Sequence, residues 1–548
     1  MKLNTEPSTI EALPFPAALA MAMMEKLGIR RAIDDASKDF EKRLCNLSVG
    51  MAAKAFVGSM SSEMGRRPVY RMNAVFSTAP KDLIFGHFVK QKGLSDRILR
   101  ERLDVIAKAG TPAFHWDLYE SVKKQYGMES NVFHIDVSDV DLWGTHYDDW
   151  ADGAMPRHNN HSKSKRNHLL QKVFGAVVDG NGLAAASRSY DGNTSDIEID
   201  LDAIGFLKER VDLSENLVVA DCKLAVSDIL IPLMNEGAFF VTKVPSSFAN
   251  RIRNDIVYSA VSGTMDESPC SPGRKYYDTD AEVELSKGTK TKLRFVAFTL
   301  PGGKEEAEEY IRGTGYGKFS KRIKSLGKYH CEKDARKAFD DCIAATGGVY
   351  GAIPEIRYDP KLAKKDPEGP CWRVKGKEPF IVEDMVEQAA EAYSVRVLVT
   401  NLPRGNESDI LKGATPDDVI SAYLGEYLVE FCFRLMKSGL NVGHVYIHSP
   451  ARQDAMIFLT SVTAMIHGVI DNVLARGEDK PRKSPYDDEE EERKHLTMKH
   501  IIDFMATTLV VYDRANDTMS ISGAPGDSEK AFRIMRKLGL DPILLLGF

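Results

Sequence analysis

The sequence lacks most of the features that would assign a class outright. Its seven cysteines, at positions 45, 222, 270, 331, 342, 371 and 432, include no C-x-x-C pair. An odd count without that spacing argues against a disulfide framework or a structural zinc site, and for a reducing compartment. None of the thirteen histidines forms an H-E-x-x-H pair, which removes a common zinc hydrolase pattern. There is no uninterrupted apolar run of about 18 residues, the length that spans a membrane. The most apolar long segment, around Ala455 to Ala475, carries His467 and Asp471 and reads as a buried helix. The N-terminus shows no basic stretch followed by an apolar run and a small-residue cleavage site, so a cytoplasmic chain with no membrane partner is expected. Gly313-Thr-Gly-Tyr-Gly317 is followed by no Gly-Lys-Ser/Thr and is not a P-loop. Tryptophan is scarce, at four residues, which together with several basic loops disfavours a carboxylate-pair glycosidase.

What is present belongs to an ordinary globular protein: 548 residues, 43% hydrophobic and 28% charged, enough for about two to four domains. The net charge of −6 comes from 73 basic and 79 acidic residues. Asp487 to Glu492 is an unbroken acidic run that reads as a solvated loop. The rest of the chain is therefore close to neutral, and net charge decides little about a nucleic-acid partner.

Residues 1–125 read as a helical domain. Ala17 to Leu27, Val49 to Met60 and Arg97 to Ala109 carry apolar residues at three- and four-residue spacing, punctuated by Gly28, Gly110 and Pro112. Residues 126–244 then read as strands and helices. Val132 to Ser138, Leu170 to Val178 and Leu183 to Ser189 are strands, the last two joined by the turn Asp179-Gly-Asn-Gly182. A helix from Ser195 to Arg210 with Ser195 as N-cap, the buried strand Leu217 to Ala220, a helix from about 225 to 236 and the strand Ala238 to Val244 follow. Three strands, then helix, strand, helix, strand, fit a mixed α/β sheet of ribonuclease-H-like architecture. A doubly wound nucleotide-binding fold fits less well, because no glycine-rich turn follows Ser138. Residues 245–394 are irregular and read as an insertion domain. The core resumes over 395–475 with the strand Val395 to Thr400, a long helix from Pro416 to Lys437 and the buried helix from about 452; residues 476–548 form a linker and a small C-terminal unit.

Three acids stand out. Asp136 lies in mid-strand on the face of Val132 and His134, and Asp221 closes an apolar strand. Burying either costs free energy unless a metal ion, a cation or water compensates. Taken singly, each is also compatible with a solvated strand end or a helix cap. Glu430 lies on the 416–437 helix in a stripe with Tyr423, Glu426, Phe433 and Lys437, a pattern that a salt-bridged surface would also produce. What would unite the three is metal chemistry: Mg²⁺ takes carboxylate oxygens, water and substrate phosphate, and two such ions can serve an in-line displacement.

Phe133 to Gly144, His161 to Gln171, Gly192-Asn-Thr-Ser-Asp196, Val218-Val-Ala-Asp-Cys222 and Tyr423 to Lys437 resemble, in that order, insertion-sequence transposases of the DDE type. Their third-acid motif is Tyr-x2-Arg-x3-Glu-x6-Lys; Tyr423, Glu430 and Lys437 match it, and Glu426 departs from it at the Arg position. The resemblance covers roughly residues 20–245 and 380–548. It implies a ribonuclease-H-like core in which Asp136, Asp221 and Glu430 are the catalytic ligands of Mg²⁺ or Mn²⁺. It also implies phosphate contacts from Tyr423 and Lys437, and N-terminal helices that bind the element's terminal inverted repeats. The substrates would be double-stranded DNA, both repeats and target, and the working form a homodimer on two ends in the cytoplasm at the nucleoid. A non-mobile nuclease on the same scaffold and a domesticated, catalytically silent DNA-binding protein are the alternatives. From the residues themselves, the basic stretch Arg157 to Lys172, with Lys163, Lys165 and Arg166, is a candidate for following DNA backbone. Arg30, Arg31, Arg66 and Arg67 are candidates for end recognition. Gly192 to Asp196 reads as a turn leading into a helix cap.

Overall fold

The computed structural model of the protein describes residues 10–41, 47–62, 69, 72–86, 89, 94–142, 153–158, 168–245, 250–263, 265–286, 289–366, 369–425, 433, 449–476 and 496–546. The chain has a mixed α/β architecture with a helical N-terminal region and a large mixed β-sheet. Its contacts divide it into two compact units. Unit 1 comprises residues 1–242, 421–485 and 489–548, and unit 2 comprises 243–420 with 486–488. Residues 395–420 therefore group with the inserted unit, and residues 1–125 group with the sheet that follows them.

Unit 1 begins with β1 (Ile10–Pro14), α1 (Phe15–Lys26), α2 (Val49–Met60), α3 (Asp96–Ala109) and α4 (Pro112–Tyr126). Sequence spacing finds α1, α2 and α3 but not α4, which starts on the Pro112 that reads as a break, and it reads too narrow an apolar face. Every residue of α1 from Phe15 to Met24 is buried, and only Met51 of α2 is not. A helix apolar all round belongs inside a core. The one cation in α2, Lys54, is 1% exposed; it donates to Glu25 at 2.9 Å and to the Ile84 carbonyl at 3.2 Å.

The sheet of unit 1 is built from β2 (Val132–Leu142), β3 (Leu170–Asp179), β4 (Ala184–Tyr190), β5 (Leu217–Ala220) and β6 (Phe239–Lys243). β2, β3 and β4 form an antiparallel meander, while β5 lies parallel to β2 and β6 parallel to β5. The order across the sheet is β4-β3-β2-β5-β6. Each parallel crossover carries a helix, α5 (Asp196–Lys208) between β4 and β5 and α6 (Ser227–Asn235) between β5 and β6, as parallel pairing requires. The side chain of Ser195 caps α5 by accepting from the Glu198 amide. Ile199 of α5 packs on Val137 and Val173, so α5 covers the face of β2 opposite Asp136.

In unit 2 the hairpin β7 (Lys275–Ser286) and β8 (Thr289–Thr299) is followed by α7 (Tyr316–Lys324), α8 (Glu332–Ala344), β9 (Tyr350–Tyr358), β10 (Trp372–Ile381), α9 (Glu383–Ser394) and β11 (Arg396–Thr400). β11 pairs antiparallel with β8, and β9 with β10. Ile311, Phe319, Ile323, Phe339, Val349 and Val374 form a separate core there.

After α10 (Pro416–Leu424), which crosses the boundary between the units, unit 1 continues with α11 (Pro450–Ala475). By length and composition α11 resembles a membrane span, but 89% of its most apolar window is buried; it is a core helix. β12 (Leu509–Asp513) pairs with β1 and with β13 (Thr518–Ser522). α12 (Asp527–Leu538) follows, and Lys26 of α1 donates to the Leu538 and Gly539 carbonyls at its C-terminus, where a cation is favoured.

Candidate active site

The parallel register of β2 and β5 brings two of the sequence-selected acids together. The last registered pair is Ile135 with Ala220, so Asp136 and Asp221 occupy the next position on neighbouring strands, roughly 5 Å apart in the hydrogen-bonding direction. Alternation places Asp136 on one face with His134 and Ser138. Asp136 is half-buried and accepts from the Val137 amide at 2.7 Å. Asp221 is also half-buried, and its carbonyl accepts from the Thr242 hydroxyl at 2.8 Å. Two residues on, Lys223 forms an ion pair with Asp196 in the first turn of α5, which ties the chain after Asp221 to the turn at Gly192. That turn is closely packed: a Cβ on Gly192 would collide with the Gln171 carbonyl, and Asp191 accepts from the Met155 amide at 2.7 Å.

The third acid, Glu430, lies outside the described residues, as do Glu426, Lys437, Lys163, Lys165 and Arg166. Two described residues on either side of Glu430 in sequence are informative. A Cβ on Gly425 would lie 3.0 Å from His134 Cε1. Phe433 is buried and meets Phe174 edge-on, with ring centroids 5.2 Å apart. Phe174 is registered with Ser138, and Ala176 with Asp136, so His134, Asp136 and Phe174 share one face of the sheet. Residues 425 and 433 thus abut the Asp136 face, one on each side of Asp136 along β2. Tyr423, on α10, is 8% exposed.

His134, which sequence analysis used only as a marker of the Asp136 face, is part of this environment. It is buried, and desolvation lowers its pKa to about 4, so at neutral pH it adds no positive charge beside the carboxylates. Strand alternation alone identifies it. Lys172 changes role. It was grouped with the basic stretch, but it is 1% exposed, forms an ion pair with Asp454 and donates to the Pro450 carbonyl at 2.9 Å. It therefore fastens α11 to β3 and is not available to DNA. Its partner lies 282 residues away, and no local signal announces it. Arg157, His158 and His168 of the same stretch are exposed. Arg30 is likewise committed, to Glu25 at 2.8 Å and Asp34 at 2.8 Å; Arg31 is exposed, and Arg66 and Arg67 lie outside the described residues.

Among the described residues, no group of three His, Cys, Asp or Glu side chains is arranged to hold a metal ion. Asp136 and Asp221 supply two carboxylates, an oxygen-only donor set of the kind Mg²⁺ accepts when water and phosphate complete its shell. Residues 15–119 match a family described as a domain of unknown function, DUF4277. No curated protein matches the chain.

Proposed function

We propose that the protein is a DNA transposase with a ribonuclease-H-like catalytic core, in which Asp136, Asp221 and Glu430 form a DDE triad. The observation that carries this reading is the register of β2 and β5, which sets Asp136 and Asp221 abreast. Further support comes from the strand order β4-β3-β2-β5-β6, three antiparallel strands and then two parallel ones reached through helices, and from Gly425 and Phe433 abutting the Asp136 face on either side of Glu430 in sequence.

In this reading Asp136, Asp221 and Glu430 would hold divalent cations, whose positive charge would favour ionisation of the attacking hydroxyl and offset charge on the scissile phosphate. Water attacks the phosphodiester at the element's end. Its oxygen bonds to phosphorus, the 3′-oxygen departs and takes a proton, and a free 3′-hydroxyl results. That hydroxyl then attacks a target phosphodiester, so one set of carboxylates serves both steps. His134, buried and neutral at neutral pH, adds no positive charge of its own on that face. Two protomers, one on each end, bring the ends together.

The test is cleavage of duplex DNA carrying the inverted repeats that flank the reading frame, with Mg²⁺ or Mn²⁺ added. D136N, D221N and E430Q should each reduce nicking and strand transfer to background while leaving the melting temperature close to wild type. A variant that cleaves at the wild-type rate removes its residue from the triad. Nicking without any strand transfer by the wild-type protein would replace the transposase with a nuclease.

A further inference from the structure

The two acids set abreast are held in different ways. Asp136 lies inside β2, which runs on to Leu142, and it is registered with Ala176 of β3. Asp221 lies just past the end of β5. The ladder from β2 stops at Ala220, and so does the ladder from β6, whose last registered pair is Ala220 with Thr242. Sheet pairing therefore fixes Asp136 but stops short of Asp221, where the chain turns away into the short helical turn Cys222–Leu224.

The Asp221 carbonyl takes over where the ladder ends. It accepts from the Leu224 amide at 3.0 Å and from the Thr242 hydroxyl at 2.8 Å, so both of its lone pairs are used. The Leu224 bond lies within the turn and gives it shape, but it would travel with the turn if the turn swung at the strand end. The Thr242 bond comes from the neighbouring strand and fastens the turn to the sheet. Thr242 is 0% exposed, in a strand reading Phe-Phe-Val-Thr-Lys. Valine has nearly the same shape, and an unbonded hydroxyl there would carry a desolvation cost. The hydroxyl is at home in that position only through the bond it makes, and β-branching keeps it aimed.

We infer that Thr242 is a positioning residue for the Asp221 carboxylate. Ala220 is held by the ladder on the amino side of Asp221, and the carbonyl is held by Thr242 on the other. With both backbone directions set, tetrahedral geometry at Cα leaves the side chain one direction of departure. That direction decides whether the Asp221 and Asp136 carboxylates meet a shared cation, and a misplacement of about 1 Å can slow a reaction about a hundredfold. The inference rests on the reading of Asp221 as a member of the triad.

The test uses the full-length protein and two readouts, hydrogen exchange of the turn without DNA and single-turnover nicking with Mn²⁺ at saturating DNA. In T242V the Leu224 and Val226 amides should exchange at least about tenfold faster, with β2 and β3 unchanged. Nicking should slow by about 10- to 100-fold and need more Mn²⁺ for half its maximal rate, while DNA affinity in EDTA stays at the wild-type value. T242S should behave as wild type and T242A as T242V. Ser and Ala differ only in the hydroxyl, so that pair decides the matter even if valine disturbs the packing. Nicking lost equally in T242S and T242A would overturn the inference, since packing and not the bond would then be at fault. Wild-type nicking by T242V, whatever its exchange rate, with D221N inactive would remove this role and leave the triad standing. Wild-type nicking by D221N would instead remove the triad, and the positioning role with it.

Discussion

The two units handle charge in opposite ways. Unit 1 takes ionisable groups into its interior and pairs several of them there: Lys54 on Glu25, Lys172 on Asp454, Asp179 on Tyr119 and the backbone of its own turn, and Asp471 on the Met498 amide. It also buries His115, His134 and His467, whose pKa values desolvation lowers to about 4, 4 and 3. Unit 2 carries most of its described ion pairs at the surface, and Arg294, bonded to Asp278 and to the Ala414 carbonyl, is its clearest buried cation. The lesson concerns the source of rigidity. Unit 1 obtains a rigid interior from all-apolar helices and internally paired charges, whereas unit 2 has a smaller core and carries its described pairs mostly outside it.

The largest expected effect that would break this comparison is acid unfolding. Each buried histidine has a depressed folded pKa, so its contribution is present above its unfolded value, near 6.5, and is lost as pH falls. Asp179 runs the other way: burial raises its pKa to about 6, so below that pH the folded state binds a proton the unfolded state lacks. At pH 5 the unfolded chain therefore holds a net excess of two protons from these four groups. Unit 1 should lose up to about 3 kcal/mol per pH unit between pH 6 and 4. Unit 2 contains one histidine, His330, which is exposed, and should respond far less. Hydrogen exchange followed by mass spectrometry across this pH range should show peptides of unit 1 losing protection first. Simultaneous loss in both units would mean that they unfold as one.

Several elements of the fold were legible in the sequence, the division into units less so, and the exceptions have physical causes. Strand β5 and helix α2 fall at their expected bounds, because an apolar run closed by an acid and an apolar helical repeat are both local signals. β2 was read only to Ser138 and in fact runs to Leu142; Asp139 and Asp141 broke the apolar pattern without breaking the pairing. β7 was hidden by its charged alternation, and its partner β8 supplies the register that makes it a strand. The roles of Lys172 and Arg30 were misread because each is set by a carboxylate that only folding brings close. Asp136 and Asp221 could be selected from their strands, but their adjacency is a property of parallel pairing across 85 residues.

A smaller and sharper contrast comes from one lysine in each unit. Lys172→Met leaves Asp454 without its cation where α11 meets β3 and should cost about 3 kcal/mol in urea unfolding, since breaking a buried pair strands a charge. Lys304→Met removes two surface partners, Glu387 and Glu391, and should cost far less, because water screens the pair. High salt should erase the second cost and leave the first. Equal costs would show that the exposure of the pair does not govern its worth here.

Asp179 offers the smallest effect and the one whose sign is least intuitive. It ends β3 and is fully buried. Oδ1 accepts from the Asn181 and Leu183 amides at 2.9 and 2.8 Å, and Oδ2 accepts from the Tyr119 hydroxyl at 3.1 Å. These bonds favour the carboxylate, but desolvation outweighs them, and the pKa rises to about 6. A raised carboxyl pKa contributes stability that is full below the unfolded value, near 3.8, and is lost as pH rises through 6. At neutral pH the charged form is therefore a net liability to unit 1. Asp179→Asn keeps an oxygen for the two amides and turns an NH₂ toward the Tyr119 hydroxyl, which can rotate to accept. The variant should gain on wild type by about 1.5 kcal/mol between pH 5 and pH 8, read as a melting-temperature difference that widens as pH rises. A variant less stable by the same margin at both pH values would show instead that the bonds around the carboxylate outweigh its burial. The interior of unit 1 would then tolerate a charge as readily as the surface of unit 2 does.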